Sequence, residues 1–348
     1  SALVIWGVVT LIFLLFNVLP GDPAQMMLGQ RADLKNVQII RQELGPDQPL
    51  YKQYLRYLND LSFISVYQAA NPDSYYFLDT DKYRGVTKIF TLKNGLSLVV
   101  KKPWLGRSFL SSRPVGDMIS EALPNSLILA FFAIILAFVA GNILGVLSAL
   151  KKDSWFDRTV LVVSTFGMSL PSFFAAILIA WLFAYKLGDI THLNLTGNLY
   201  EVDDLGRGIH LELKNLILPA VTLGIRPLSV VIQLSRNSML DVLSQDYIRT
   251  AFAKGLRYSR VVIVHAFRNS LNPVVTAVSG WFAGMLAGVV FVEYIFGWHG
   301  LGYMIVNALN FYDFPVVLAS VLTISVVFVA VNIIVDIIYV ILDPRLRG

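Results

Sequence analysis

Long apolar runs alternate with shorter polar segments along this chain. No charged residue occurs in 1–21, 122–150, 159–185, 269–292 or 314–335, and a sixth run, 215–235, is interrupted only by Arg226. About 20 helical residues cross a hydrocarbon core of roughly 30 Å, so the pattern predicts six transmembrane helices. The 122–150 run exceeds that length and is expected to tilt or project. The first run is too long, and too free of a basic leader, to read as a signal peptide. The chain is expected to begin at or inside its first helix.

The segment between the first two runs divides in two. Residues 24–60 have an amphipathic pattern punctuated by Gly45-Pro46. Residues 61–102 are richer in aromatics, turn residues and alternation. Within them, 87–92 and 96–100 flank Lys93-Asn94-Gly95, and Asn-Gly between alternating strands predicts a β-hairpin. The expected layout is a first helix over 1–21, a cap over 22–121 with an insertion at about 61–102, and a five-helix body over 122–348. For the cap, a solvated elaboration and a binding role both stay open.

Composition sharpens the class. Hydrophobic residues make up 56% of the 348 and charged residues 15%, against about 25% charge in a typical soluble domain. Placement of charge sets the orientation. Lys151, Lys152, Arg158, then Arg236, Arg249, Lys254, Arg257, Arg260 and Arg268, then Arg345 and Arg347 fall on one side. The short loops of the other side hold only Arg207 and Lys214. The basic side is expected to be cytoplasmic, with both termini inside and the cap outside.

Several chemistries lack their residues. There is no cysteine, hence no disulfide, thiolate metal site or cysteine nucleophile. No Gly-Lys dipeptide occurs, so a P-loop is excluded, and any ATP must be bound by another chain. His192, His210, His265 and His299 form no H-E-x-x-H pair, and G-x-S-x-G is absent. Gly297-Trp-His-Gly-Leu-Gly302 has the wrong spacing for a phosphate loop and reads as a tight turn. Nothing points to nucleic acid.

Polar groups inside apolar runs are costly and face protein or a watery path. Asn142, Ser164, Ser169, Arg226 and Gln233 are the candidates for a translocation path. Arg226-Pro227 is expected to break or bend its helix, with Arg226 either snorkelling to the outer interface or facing a pore. Asn332, Asp336, Tyr339 and Asp343 form a polar stripe, suited to packing, a gate or a partner contact. Gly141 and Gly145, and Gly280, Gly284 and Gly288, have G-x-x-x-G spacing for close helix packing, the second stripe also suiting a subunit interface.

The polar loop 236–272 is too polar to span and long for a connector. Within it, 241–255 reads as a helix stopped by Gly255, with small Ala251 and Ala253 and basic flanks. Docking on a cytoplasmic partner and lying on anionic lipid both fit. Here the chain resembles a known family. Tyr247-Ile-Arg-Thr-Ala-Phe-Ala-Lys-Gly255, followed by His265-Ala-Phe-Arg-Asn-Ser-Leu-Asn-Pro273, resembles the coupling motif of binding-protein-dependent ABC importer permeases, in the variant of the dipeptide/oligopeptide/nickel family. Leu19-Pro-Gly-Asp-Pro-Ala24, Leu44-Gly-Pro-Asp-Gln-Pro-Leu50, Leu123-Pro-Asn-Ser-Leu127, Ser169-Leu-Pro-Ser-Phe173 and Leu342-Asp-Pro-Arg-Leu-Arg347 are similar to further blocks, in order. The resemblance covers roughly 1–60 and 103–348. The chain departs from the family in its enlarged 61–102 segment, in His299 where Pro is usual, and in Tyr312-Asp313 where Arg-Asp is usual.

The resemblance implies an all-α membrane protein of the type I importer permease kind, one half of a pore in a bacterial or archaeal inner membrane. It implies a homologous second permease, two ATPase subunits carrying ATP and Mg, and an extracytoplasmic solute-binding protein. This chain would then be non-catalytic. Asp246, Tyr247, Arg249, Thr250, Ala251, Lys254 and Gly255 would contact the ATPase, with Ala251 and Gly255 allowing close approach. Peptides lead as substrate and nickel is the rival within the family. An ATP-independent channel or secondary transporter, and a membrane enzyme, are the readings from other classes.

Overall fold

The computed structural model describes residues 2–18, 48–68, 71, 74–79, 82–83, 85–92, 95–202 and 208–342. The amphipathic pattern over 24–47, Lys93-Asn94, Arg207 and the tail with Asp343 lie outside them. The chain forms two compact units. One comprises 1–121 with 307–325, the other 122–306 with 326–348.

In the first unit, α1 (Ala2–Val18) is apolar around its circumference. Its Val9 and Ile12 pack with Leu322, and with Tyr57, Leu58 and Leu61 on the amphipathic α2 (Leu50–Leu61). Thr10 and Tyr54 share a hydroxyl hydrogen bond of 2.6 Å. The hairpin is present as β2 (Thr87–Thr91) and β3 (Leu96–Val100). A strand the pattern did not single out, β1 (Ile64–Gln68), pairs antiparallel with the free edge of β3 and gives the order β1-β3-β2. Strand alternation puts Tyr67 and Val99 on the inner face with Leu78, Tyr83 and Trp104. Asp313, in the Tyr312-Asp313 departure, is buried and accepts from the Ser108 hydroxyl at 2.5 Å and the Phe109 N–H at 3.0 Å. The pair thus fixes a local turn.

Beneath the sheet lies a polar cluster. Asp60 Oδ1 accepts from the hydroxyls of Tyr67 at 2.8 Å and Tyr83 at 2.7 Å. Buried Lys101 donates to the Asp60 carbonyl at 2.5 Å and lies 5.0 Å from the Tyr83 ring centre. Burial pulls the Lys101 ammonium down to about 8. Burial, then the Asp60 charge, holds the Tyr67 and Tyr83 phenols well above their usual range. Between about 8 and the free-lysine value of about 10.4, the unfolded cap holds a proton that the folded cap has released, so stability rises with pH. Above about 10 the unfolded tyrosines ionise while the folded ones do not, and stability falls. Thermal proteolysis of the cap in the intact protein should therefore show a midpoint that climbs from pH 7.5 to about 9.5 and drops beyond 10.

In the second unit, the second apolar run, 122–150, is helical throughout, as part of α3 (Val115–Leu150). The run 159–185 is not one continuous helix. It is α4 (Trp155–Ser169) and α5 (Ser172–Ile179, continued by a π-helical turn over Ala180–Lys186), bent by 115°. Pro171 lacks an N–H and disfavours helical backbone before it, and Leu170 is extended there. A small hairpin, β4 (Tyr200–Val202) and β5 (Ile209–Leu211), follows. Then come α6 (Lys214–Leu243), α7 (Asp246–Ala253), a π-helical stretch (Val261–Phe267) leading into α8 (Arg268–Phe296), α9 (Leu301–Asn310) and α10 (Phe314–Leu342).

Three further expectations are corrected. Helix α6 runs unbroken through Pro219 and Pro227. Its neighbours hold it, with Leu223, Gly224, Pro227 and Val231 buried, and the Thr222 and Ser229 hydroxyls bond the carbonyls of Leu218 and Ile225. Residues 236–272 are helical over most of their length rather than a loop, because one side of each short helix is apolar and buried. The 293–313 connection contains α9, bent by 79° from α8. Among the described residues four helices are long and apolar enough to cross a membrane, and the two bent pairs raise this to six.

Helix α6 is the hub, packed against α4, α5 and α8. The core holds Leu129, Ala133, Leu216, Leu223, Val289, Phe296 and Trp298. Glu293 is fully buried at the end of α8. Its carboxylate accepts from the Ser126 hydroxyl at 2.6 Å and the Gly302 and Tyr303 N–H groups at 2.7 and 3.2 Å, capping α9. The 297–302 glycine run is therefore a turn wrapped on a carboxylate. His299, at the second departure, donates its N–H to Asn198 at 2.7 Å.

Candidate coupling site and core polar groups

Helix α7 follows α6 after two residues and begins with Asp246 in its first turn. Eight residues are too few for a stable free helix, so packing must hold it. Ile248, 1% exposed, and Ala251 pack with Ala149, Met239, Val261, Val262 and Ala266. Asn269 donates to the Tyr247 hydroxyl at 3.1 Å, tying α7 to the start of α8.

The opposite face is open. Asp246, Tyr247, Arg249, Thr250, Lys254 and Gly255 are exposed, and Arg249 lies 3.5 Å from Asp246. Phe252 is exposed beside them and stacks on Tyr258 at 6.1 Å. Ala251 faces inward, and its small size serves contact within this chain. The spacing of Ile248 and Ala251, three apart, carried that signal. Gly255 ends the helix at φ +77, donating its N–H to Phe252 at 2.9 Å. No atom lies within 4 Å of where its side chain would start. The glycine is needed for its left-handed backbone and leaves open space.

The five path candidates separate. Asn142 is buried, accepts from the Ser235 hydroxyl at 2.6 Å and donates to the Phe138 carbonyl at 2.7 Å. It joins α3 to α6. Ser164 is buried and bonds the Leu161 carbonyl, with Gln233 at 3.4 Å. Ser169 and Arg226 are exposed, and Arg226 has no ion pair among the described residues. In the stripe, Asn332 donates to the Phe328 carbonyl at 2.8 Å and Asp336 is exposed. The surroundings of Tyr339 and Asp343 are not among those described.

The two glycine stripes differ. A methyl on Gly141 or Gly145 would lie 2.6 Å from Val231 or from the Ile232 carbonyl, so α3 and α6 touch along their backbones. Gly280, Gly284 and Gly288 have no such neighbour, so the expectation of packing fails there within this chain. Asp157 is not among the residues that the hydrophobic pattern singles out. This buried residue on α4 pairs with Arg236 at 2.6 Å. Ser154, three residues before Asp157 as the N-cap of α4, was the available sign.

The chain matches the family model described as binding-protein-dependent transport system inner membrane component over residues 141–348, and the N-terminal model of the same system over 1–74. It is 31% identical to a dipeptide transport system permease protein of Alkalihalophilus pseudofirmus, over 99% of this chain and 96% of that one. It is 31% identical to a glutathione transport system permease protein of Escherichia coli, over 97% and 92%. An inward-facing structure of the MetNI methionine ABC transporter shares the fold, with TM-score 0.51, 15% identity and coverage of 64% of this chain and 94% of that one. With more than half its length inside one family model and near-complete relatives on both sides of it, the chain belongs to the inner membrane components of binding-protein-dependent transport systems, the permeases of ABC importers.

Proposed function

We propose that this permease carries peptides inward as one half of a pore, and that α7 receives the mechanical stroke of an ATPase. The observation that carries the coupling reading is α7 itself, seated on its own core through Ile248 and Ala251 with a polar face turned outward. A docked helix transmits force because its base cannot slip, and its open charged edge offers a partner specific contacts. Relatives named for dipeptide and glutathione transport support a peptide substrate.

On this reading a second permease completes the pore, two ATPases bind ATP and Mg, and an extracytoplasmic binding protein delivers the solute. Both termini lie in the cytoplasm, and this chain performs no covalent chemistry. Co-purification from native membrane in mild detergent tests the assembly. Recovery of a second permease, P-loop ATPases and a protein that binds dipeptides in preference to nickel is expected. Recovery of this chain alone would refute the assembly, and a nickel-selective binding protein would refute the substrate.

A further inference from the structure

Asp157, 1% exposed, sits where the end of α3, the α3–α4 turn and α6 meet. Its Oδ1 accepts from Arg236 Nε at 2.6 Å and from the Ser148 hydroxyl. Its Oδ2 accepts from Arg236 Nη2 at 2.7 Å and from the Asp153 N–H at 2.9 Å. Both carboxylate oxygens are thus taken, and the guanidinium meets them as a two-pronged fork. Burying such a pair adds little stability over an apolar replacement, because desolvation offsets the attraction. What the fork supplies is geometry, since it fits a carboxylate in one plane and one direction.

The pair does not stand alone. Immediately before Arg236 in α6, Ser235 bonds Asn142 on α3. Gly145 leaves no room between α3 and Ser235. On the other side lies the base of α7, where Ile248 and Ala251 pack on Met239 of α6 and Ala149 of α3, with Val146 and Leu150 alongside. The same two helices that the pair locks together therefore form the seat of α7. A push on α7 reaches the membrane only if this seat neither slides nor twists.

We propose that the Asp157–Arg236 pair is a positioning element for coupling. It fixes α6 to the α3–α4 corner in one orientation, so that α7, α6 and α3 move as a single lever. The proposal rests on the reading of α7 as the ATPase contact. Without the pair, the last turns of α6 rotate in place and absorb the stroke.

The test uses the complete transporter with its binding protein in proteoliposomes, with uptake and ATP hydrolysis measured on the same vesicles. Asp157→Asn keeps the shape and loses the charge, and Arg236→Lys keeps the charge and loses the fork. Assembled complex and ATP hydrolysis should persist in both, while peptide moved per ATP falls roughly tenfold, within the range of mutations along a coupling network. Wild-type uptake per ATP in both variants would overturn the proposal. So would failure of both to assemble, or losses of uptake and hydrolysis in equal proportion, which mark a purely structural pair. Cross-linking from Arg249→Cys to a cysteine on the ATPase separates the two readings. A cross-link together with unchanged uptake per ATP sinks the lever alone, and its absence in an otherwise wild-type complex sinks the α7 reading and the lever with it.

Discussion

Replacing Gly255 by valine should leave the permease in the membrane and its ATPases active, with uptake per ATP reduced roughly tenfold or more. The reasoning starts from the backbone. Gly255 sits at φ +77 at the end of α7, a conformation that costs an L-residue about 1–2 kcal/mol and a β-branched one more. About 1.4 kcal/mol shifts an equilibrium tenfold. No neighbouring atom would be struck, so the strain stays in the turn and the rest of the chain keeps its packing. The turn alone then relaxes, and with it the angle of the outward face carrying Arg249, Thr250 and Lys254. Asparagine, which tolerates the left-handed region, should be much milder. Uptake and hydrolysis measured on reconstituted transporter check this. Normal coupling in the valine variant would remove Gly255 from the account.

Gly145→Leu should abolish the folded permease, where Gly284→Leu should leave the fold of the chain intact. At Gly145 the first added carbon already meets the Ile232 carbonyl and the Ser235 side chain, each at 2.6 Å. A carbonyl inside a helix cannot step aside, so α3 and α6 must separate. Overpacking a close-packed interface typically costs about 1–3 kcal/mol and more where backbone must move. Separation also breaks the bond between the Ser235 hydroxyl and Asn142 Oδ1, and a buried polar atom that loses its partner costs about 1–3 kcal/mol. Gly284 has nothing within 4 Å. The amount and thermal stability of detergent-extracted permease distinguish the two variants. Equal survival would contradict the close contact of α3 and α6.

The apolar runs made the membrane class legible, because bilayer thickness imposes a length that no soluble core requires. The hairpin was legible from Asn94-Gly95 and its flanking alternation, and the α7 helix from its stop at Gly255. Other features depended on tertiary partners. The strand β1 exists because β3 offers it an edge. The break at Pro171 was written in the sequence, yet Pro227 looked equivalent and did not break its helix, since buried neighbours hold α6 on both sides. Asn142 looked like a path residue because a polar group in an apolar run has two explanations. Ser235, 93 residues away, supplies the interhelical partner that the pattern could not show. Ala251 is small for a reason the pattern left open, and Met239 and Ala149 pack against it within this chain. The Asp157–Arg236 pair joins residues 79 apart in sequence, a separation at which composition carries no information.

The central claim is that this chain moves solute only when ATPases drive it through α7. The most direct measurement is peptide uptake into proteoliposomes containing the two permeases and the binding protein, with and without the ATPase subunits and ATP. Accumulation above the external concentration, present only with both ATPases and ATP, is the predicted result. Uptake that proceeds equally without them would contradict the account and make the chain a channel or a secondary transporter.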